Sequence, residues 1–330
     1  MLDHNNPEIK FAIEAVRSAS LLVKTVQAEM VSPALTKDDR SPVSVADFAA
    51  QALIGHLLAE SYPQDALIGE EDSASLQAPG QRGTLERITS FITRTAPDAT
   101  PDLVCDWIDR GSSESASRYW TLDPIDGTKG FLRGDQYAVA LALVYDGKVQ
   151  IGVLGCPQLD IGHSEGVLLA AARDLGAWVF PLDGTPLQGK PSSRQISVSQ
   201  QSDPILARLM RSFESGHTNV SQIDIFAEKL GIKAEPVRMD SQAKYAVLAS
   251  GGGEIYLRLL SSQRPDYREK VWDQAAGSII VEEAGGRVTD LDGKPLDFTQ
   301  GRTLALNRGI CASNGSLHVQ TLKTLEMIGV

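Results

Sequence analysis

The 330-residue sequence predicts an α/β protein of the α+β kind, built as a layered αβαβα sandwich, and three patterns carry that expectation. Two long helical periodicities open the chain, paired apolar strands follow, and short strands interleaved with helices fill the rest. A content of 42% apolar residues suffices for a large core, and the length exceeds one typical domain. Two closely packed domains are therefore predicted, residues 1–194 and residues 195–330.

The elements follow in chain order. Ile9 to Met30 has helical spacing through Phe11, Ala15, Leu22 and Val26, and Ala46 to Ser61 has it through Phe48, Leu53, Leu57 and Leu58. Ala66 to Gly69 reads as a short buried strand, as does Tyr119 to Leu122. Val139 to Tyr145 pairs with Val149 to Leu154 around Asp146-Gly147, and Val167 to Ala172 pairs with Gly176 to Phe180 around Arg173-Asp174. The Gly-, Pro- and Ser-rich stretch from Pro181 to Ser193 is a loop near the domain boundary. Beyond it, strands are predicted at Ile196 to Val198, Glu254 to Leu259 and Arg287 to Thr289. Helices are predicted at Pro204 to Phe213, Ile223 to Leu230 and Gln274 to Ala284. Ser250-Gly251-Gly252-Gly253 lacks the lysine of a phosphate loop and is read as a turn.

Four acidic elements interrupt this scaffold. Leu122-Asp123-Pro124-Ile125-Asp126-Gly127-Thr128 places two carboxylates and a hydroxyl on a tight turn between core strands. Pro124 fixes its own φ and Gly127 relaxes the backbone, so Asp123 and Asp126 can converge with the Ile125 carbonyl on a hard cation. The same residue types also suit an ordinary surface turn. Gly69-Glu70-Glu71-Asp72 ends a strand with three mutually repelling acids, which fits either a solvated loop or a cation that neutralises them. Asp273, in Val271-Trp272-Asp273-Gln274, stands at a helix start, where an N-cap explains it as well as a metal ligand does. Asp47, near the start of the second helix, is equally accountable as a first-turn acid facing the helix dipole.

In this order the four elements resemble the inositol monophosphatase superfamily of lithium-sensitive, magnesium-dependent phosphatases. The resemblance implies the layered fold of that family. It further implies that Glu70, Asp123, Ile125 through its carbonyl, Asp126 and Asp273 ligate two or three Mg²⁺ ions, with Asp47 and Thr128 positioning the attacking water. Because Asp273 comes from the second half, domain packing would be part of assembling the metal site. Neighbouring ions in such sites stand about 3.5–4 Å apart and activate water, bridge phosphate oxygens and stabilise the leaving oxygen. No Cys-x5-Arg occurs and Asp123-Pro124-Ile125-Asp126 has the wrong spacing for an aspartyl-phosphate motif, so direct in-line attack by water is expected.

The C-terminal half narrows the likeness to the 3'(2'),5'-bisphosphate nucleotidase branch, through Gly216-His217-Thr218, Met239 to Tyr245, Ile255 to Leu259, Tyr267 to Asp273, Pro295 to Phe298 and Gly301 to Ala305. Lys244 and Arg258 are cations on stretches that otherwise read as buried, and both are suited to phosphate. The resemblance assigns Ser241, Lys244 and Arg258 to the 5'-phosphate, His217 to the nucleoside, and Thr128 and Asp273 to the scissile 3'-phosphate. Taken singly, Arg258 is equally a strand-face charge and His217 a loop residue. The expected activity is hydrolysis of adenosine 3',5'-bisphosphate to AMP and phosphate, with 3'-phosphoadenylyl sulfate as a further candidate substrate. The alternatives are an inositol polyphosphate 1-phosphatase or inositol monophosphatase, and, from another class, a nucleotide-binding sensor without turnover.

Composition bounds the remainder. Cys105, Cys156 and Cys311 are odd in number and far apart, which excludes a disulfide framework and a cysteine zinc site. A net charge of -11 argues against nucleic-acid and acidic-membrane partners, leaving a small anionic substrate as the expected partner. The polar N-terminus resembles no signal peptide, so the cytoplasm is the expected location, with a monomer or weak homo-oligomer as the expected state.

Overall fold

In the computed structural model, residues 6–31, 41–162, 166–185, 192–213, 219–260 and 266–330 are described, with the side chains of 41, 42 and 220 left aside. The first two helices are α1 (Pro7–Met30) and α2 (Ser41–Ser61). Asn6 caps α1 by accepting from the backbone N–H groups of Glu8 and Ile9, and Pro7 at the first helical position needs no donor of its own.

The first sheet contains β1 (Ala66–Gly69), β2 (Arg118–Asp126), β3 (Ala138–Tyr145), β4 (Lys148–Cys156), β5 (Val167–Ala172), β6 (Ala177–Pro181) and β7 (Arg194–Ile196), in that spatial order. Among the described residues of this sheet, only β1 and β2 pair in parallel; every later neighbour is antiparallel. The β3–β4 hairpin turns at Asp146 and Gly147, both with positive φ (47° and 71°), the conformation that the Asp-Gly pair supplies. Both faces of this sheet are covered. Trp120, Leu122, Leu141 and Leu143 face α1 and α2, whereas Tyr119, Ala140, Ala142 and Val144 point to the other side.

On that other side lie α7 (Ala243–Ala249) and α8 (Ala275–Glu283), sandwiched against the second sheet. The second sheet runs in the order β11 (Arg287–Thr289), β12 (Ile310–Ser313), β10 (Ile255–Arg258), β8 (Leu209–Arg211) and β9 (Val237–Arg238). Its outer face, with Leu209, Ile255, Leu257 and Cys311, packs on α6 (Val220–Leu230) and α9 (His318–Met327). The layers are therefore helix, sheet, helix, sheet, helix, as the sequence predicts. Two further helices, α3 (Arg82–Ile92) and α4 (Pro101–Asp109), lie between β1 and β2, and α5 (Thr128–Arg133) follows β2.

Two expectations need correction. Pro204 to Phe213 is not a helix: a single 3-10 turn, Pro204–Leu206, is capped by Asp203, and the chain then enters β8. Leu209 and Met210 face different cores, a period of two that overrides the short helical pattern. The strand expected at Ile196 to Val198 ends at Ile196, because the Val198 N–H leaves the sheet to bond the Ala284 carbonyl.

Candidate metal and phosphate site

The Asp123–Thr128 segment is a bulged strand end running into a helix. Asp123 pairs with Ala140 and Asp126 with Ala138, so Pro124 and Ile125 together oppose Val139 alone. That extra residue bends the strand and re-aims its side chains. Gly127 (φ 95°) then turns the chain into α5, with Thr128 as its first, solvent-exposed residue. A Cβ at Gly127 would meet Ser241 Cβ at 2.8 Å, so the segment abuts the loop before α7. Ile125 is buried at the bulge.

Asp123 is only 2% exposed, and its Oδ1 has no hydrogen-bond partner. Burial drives its carboxyl well above the usual range, and the charges of Glu70, Asp126, Asp273 and Asp47 push the same way. Glu70 follows directly on β1. Although the residue as a whole is exposed, desolvation of its carboxyl, then Glu71 and Asp126, push it up to about 7, against the opposing effects of a hydrogen bond with Asp123 and the charge of Lys270. Asp273 is raised strongly by burial and by Asp126, Glu269 and Glu70, against the opposing pull of Arg258. Asp47 is raised by burial and then by Glu71 and Glu70.

These carboxylates thus act on one another from β1, β2, α2 and the start of α8. Among the described residues, no group of three or more His, Cys, Asp or Glu side chains is arranged to hold a metal ion. The donor set nonetheless fits a hard divalent cation: hard oxygens, one of them buried without a partner, in a field that a positive charge would relieve.

The ordinary explanations of two acids fail. Asp273 is not an N-cap: Gln274 occupies that position and makes no side-chain cap bond. Asp47 lies beyond the first turn of α2, which begins at Ser41.

The predicted phosphate-binding cations sit beside the acids. Lys244, in the first turn of α7, is 3% exposed; its Nζ donates to Ser212 Oγ at 3.2 Å and to the Met239 carbonyl at 3.4 Å, and lies 5.3 Å from the Tyr256 ring centroid. Burial lowers it to about 8, with Arg258 adding to the lowering and Asp126 and Asp240 opposing it. Arg258 ends β10 and lies 2.8 Å from Glu269 and 3.7 Å from Asp273. Burial alone would lower its guanidinium, but Glu269, Tyr256 and Asp273 hold it well above its ordinary value. Its Nε is buried with no partner. Ser241, at φ 67°, accepts from the Ala243 N–H through Oγ. His217 lies outside the described residues.

Three residues that sequence reasoning did not single out organise this site. Gln242, 2% exposed, donates its backbone N–H to Asp126 Oδ2 at 2.7 Å, donates through Nε2 to the Trp272 carbonyl and accepts from the Gly277 N–H. It thereby links the bulge to the start of α8. Glu269 fixes Arg258 and accepts from Gln274 Nε2, and Gln274 Oε1 in turn accepts from the Tyr245 hydroxyl. Gln51, fully buried on α2, accepts from the Glu71 N–H and donates to the Glu71 and Ile108 carbonyls, pinning the strand end that carries Glu70. A lone buried glutamine leaves no periodic mark in a sequence; its role emerges only from what surrounds it.

The profile of the inositol monophosphatase family matches residues 4–329. A 3'(2'),5'-bisphosphate nucleotidase of Oryza sativa is 42% identical over 343 residues, covering 97% of this chain and 93% of that protein. One of Schizosaccharomyces pombe is 40% identical over 329 residues, covering 93% and 91%. Among solved structures, an inositol monophosphatase from Anabaena superposes with a TM-score of 0.63 at 22% identity, covering 97% of this chain and 95% of that one.

Proposed function

The chain belongs to the inositol monophosphatase family, and from that premise we propose that it is a phosphatase that removes the 3'-phosphate of adenosine 3',5'-bisphosphate, releasing AMP. The family is generally metal-dependent. On this reading Glu70, Asp123, Asp126, Asp273 and the Ile125 carbonyl hold two or three Mg²⁺ ions. Bound there, the ions would supply Lewis-acid charge to the phosphoryl group and lower the pKa of water. We also propose the division into residues 1–194 and 195–330 and a cytoplasmic location; no helix among the described residues is long and apolar enough to cross a membrane.

The remaining chemistry falls to this chain's own side chains. Thr128 and Asp47 orient the attacking water, with Asp47, whose carboxyl is raised by burial, as the group placed to take its proton. Lys244 and Arg258 bind the distal 5'-phosphate, the guanidinium as a planar donor and the ammonium as a point charge. Ser241 adds a hydroxyl, and His217 contacts the nucleoside. Gln242 keeps Asp126 aligned throughout.

One observation supports a bisphosphate over a monophosphate: two cations, buried Lys244 and half-buried Arg258, stand against the acid cluster, Arg258 at 3.7 Å from Asp273 and Lys244 within the field of Asp126. A substrate with one phosphate leaves that second positive locus unused. 3'-Phosphoadenylyl sulfate carries an anion at the same distance and is a further candidate substrate.

Phosphate release from purified protein with Mg²⁺ is the test, run on adenosine 3',5'-bisphosphate, 3'-phosphoadenylyl sulfate, inositol 1-phosphate and inositol 1,4-bisphosphate. Release chiefly from the nucleotides supports the reading. Release only from inositol phosphates rejects the substrate, and tight nucleotide binding without release rejects catalysis.

A further inference from the structure

Arg302 lies in the Gly301–Ala305 stretch, which the chemistry above does not use. Its guanidinium donates through Nη1 to the Gly111 carbonyl at 3.1 Å and through Nη2 to the Gly69 carbonyl. The same group stacks on the indole of Trp272, 4.8 Å from the ring centroid. Its own carbonyl accepts from the Val271 N–H at 3.2 Å, and the adjacent Thr303 bridges Lys270.

What these contacts join is the point. Gly69 immediately precedes Glu70, and Trp272 immediately precedes Asp273. A single side chain therefore ties the strand end carrying one candidate ligand to the helix start carrying another, 233 positions from Gly69 in sequence. Trp272, 5% exposed, is also held through its carbonyl by Gln242, whose backbone N–H bonds Asp126. The contacts thus run without a break from Gly69 through Arg302, Trp272 and Gln242 to Asp126. Arg302 also brings a positive charge into the field of Asp72 and Glu70.

We propose that Arg302 is a positioning residue for the metal cage: it sets the separation of Glu70 from Asp273 while touching neither ion nor substrate. The inference rests on the metal-site reading given above. A lysine keeps the charge but has neither the planar fork that reaches two carbonyls nor the flat face that stacks on an indole. The backbone bonds of the 302–304 segment to residues 269–271 do not depend on the side chain, so substitution leaves that segment paired.

The test titrates metal-free, full-length wild type, Arg302→Lys and Arg302→Gln with Mn²⁺, following free ion by electron paramagnetic resonance, beside thermal unfolding and steady-state kinetics. Residues that orient metal ligands are worth about 10–100-fold in affinity, so both variants are expected to bind Mn²⁺ at least about tenfold more weakly. Half-saturating Mg²⁺ for turnover should rise in step, with the KM for nucleotide at saturating Mg²⁺ little changed and no rescue by lysine. If the glutamine variant does not fold, the lysine variant carries the comparison. Unchanged Mn²⁺ affinity in the folded variants, even with a lowered unfolding temperature, overturns the proposal alone. Absence of Mn²⁺ binding by wild type overturns the metal reading and this inference with it.

Discussion

At the scale of single residues, Asp126 and Lys244 make the sharpest demands. Asp126→Asn preserves an oxygen for the Gln242 N–H but removes a negative charge from the cage. Turnover with Mg²⁺ should fall by about a hundredfold or more, as for loss of a group acting on transition-state charge, while the unfolding temperature holds or rises. Near-normal turnover would reject the assignment. Burial lowers Lys244 to about 8, so on the proposed reading its grip on a distal phosphate is present below that pH and fades as pH rises through it. The kcat/KM for adenosine 3',5'-bisphosphate should therefore break downward near pH 8, and Lys244→Arg should shift the break upward, since arginine stays charged. The same profile for inositol 1-phosphate should lack the Lys244-dependent limb; an identical limb on both substrates would remove Lys244 from the distal site. The acids and cations were legible in sequence because charged residues on buried stretches demand explanation. Gln242 and Gln51 were not, since each acts by joining segments far apart in the chain, and Glu269 was not, since its role appears only from its contacts with Arg258 and Gln274.

At the scale of elements, the bulge and turn at 123–128 carry the most information. Gly127 combines φ 95° with a Cβ position 2.8 Å from Ser241, so Gly127→Ala faces both backbone strain and a clash with the α7 loop. A destabilisation of about 2 kcal/mol or more is expected, read by chemical denaturation, with loss of activity greater than the remaining folded fraction explains. A neutral outcome would mean that the two loops are not mutually fixed. Long periodic elements such as α1, α2, β3 and β4 were read from sequence because their patterns repeat over many residues. The strand β8 was misread as helix because three residues cannot establish a period. Helix α7 was missed for the opposite reason: Ala243–Ala249 is buried on every side and shows no polar face to mark one. The tight turn expected at 123–128 proved to be a strand bulge plus a short helix, a distinction that depends on the Ala138–Ala140 partner and not on local sequence.

At the scale of the whole molecule, the acid cluster ties stability to pH and cation together. The folded, metal-free protein holds a proton on Glu70 between about pH 4.5 and about pH 7 that the unfolded chain has released, so stability falls as pH rises through that window. Asp123 and Asp273, raised by burial and by neighbouring acids, act in the same direction. On the proposed metal reading Mg²⁺ would compete with those protons, so its stabilising effect should be larger at pH 8 than at pH 5, measured as the shift in unfolding temperature on adding the ion. His318, lowered to about 4 by burial, works oppositely, losing stability as pH falls below 6.5, but does so with or without Mg²⁺ and cancels in the difference. An equal shift at both pH values would mean that the cation binds elsewhere. The sandwich architecture could be foreseen from the order of helical and strand patterns; which side chains join the two sheets could not, because those contacts span most of the chain. The most direct measurement is anomalous diffraction from crystals of the full chain grown with Mn²⁺. Peaks ringed by Glu70, Asp123, Asp126 and Asp273, with Arg302 stacked on Trp272 behind them, are the expected result, whereas manganese bound away from these side chains, or no peak beside them, would contradict the account.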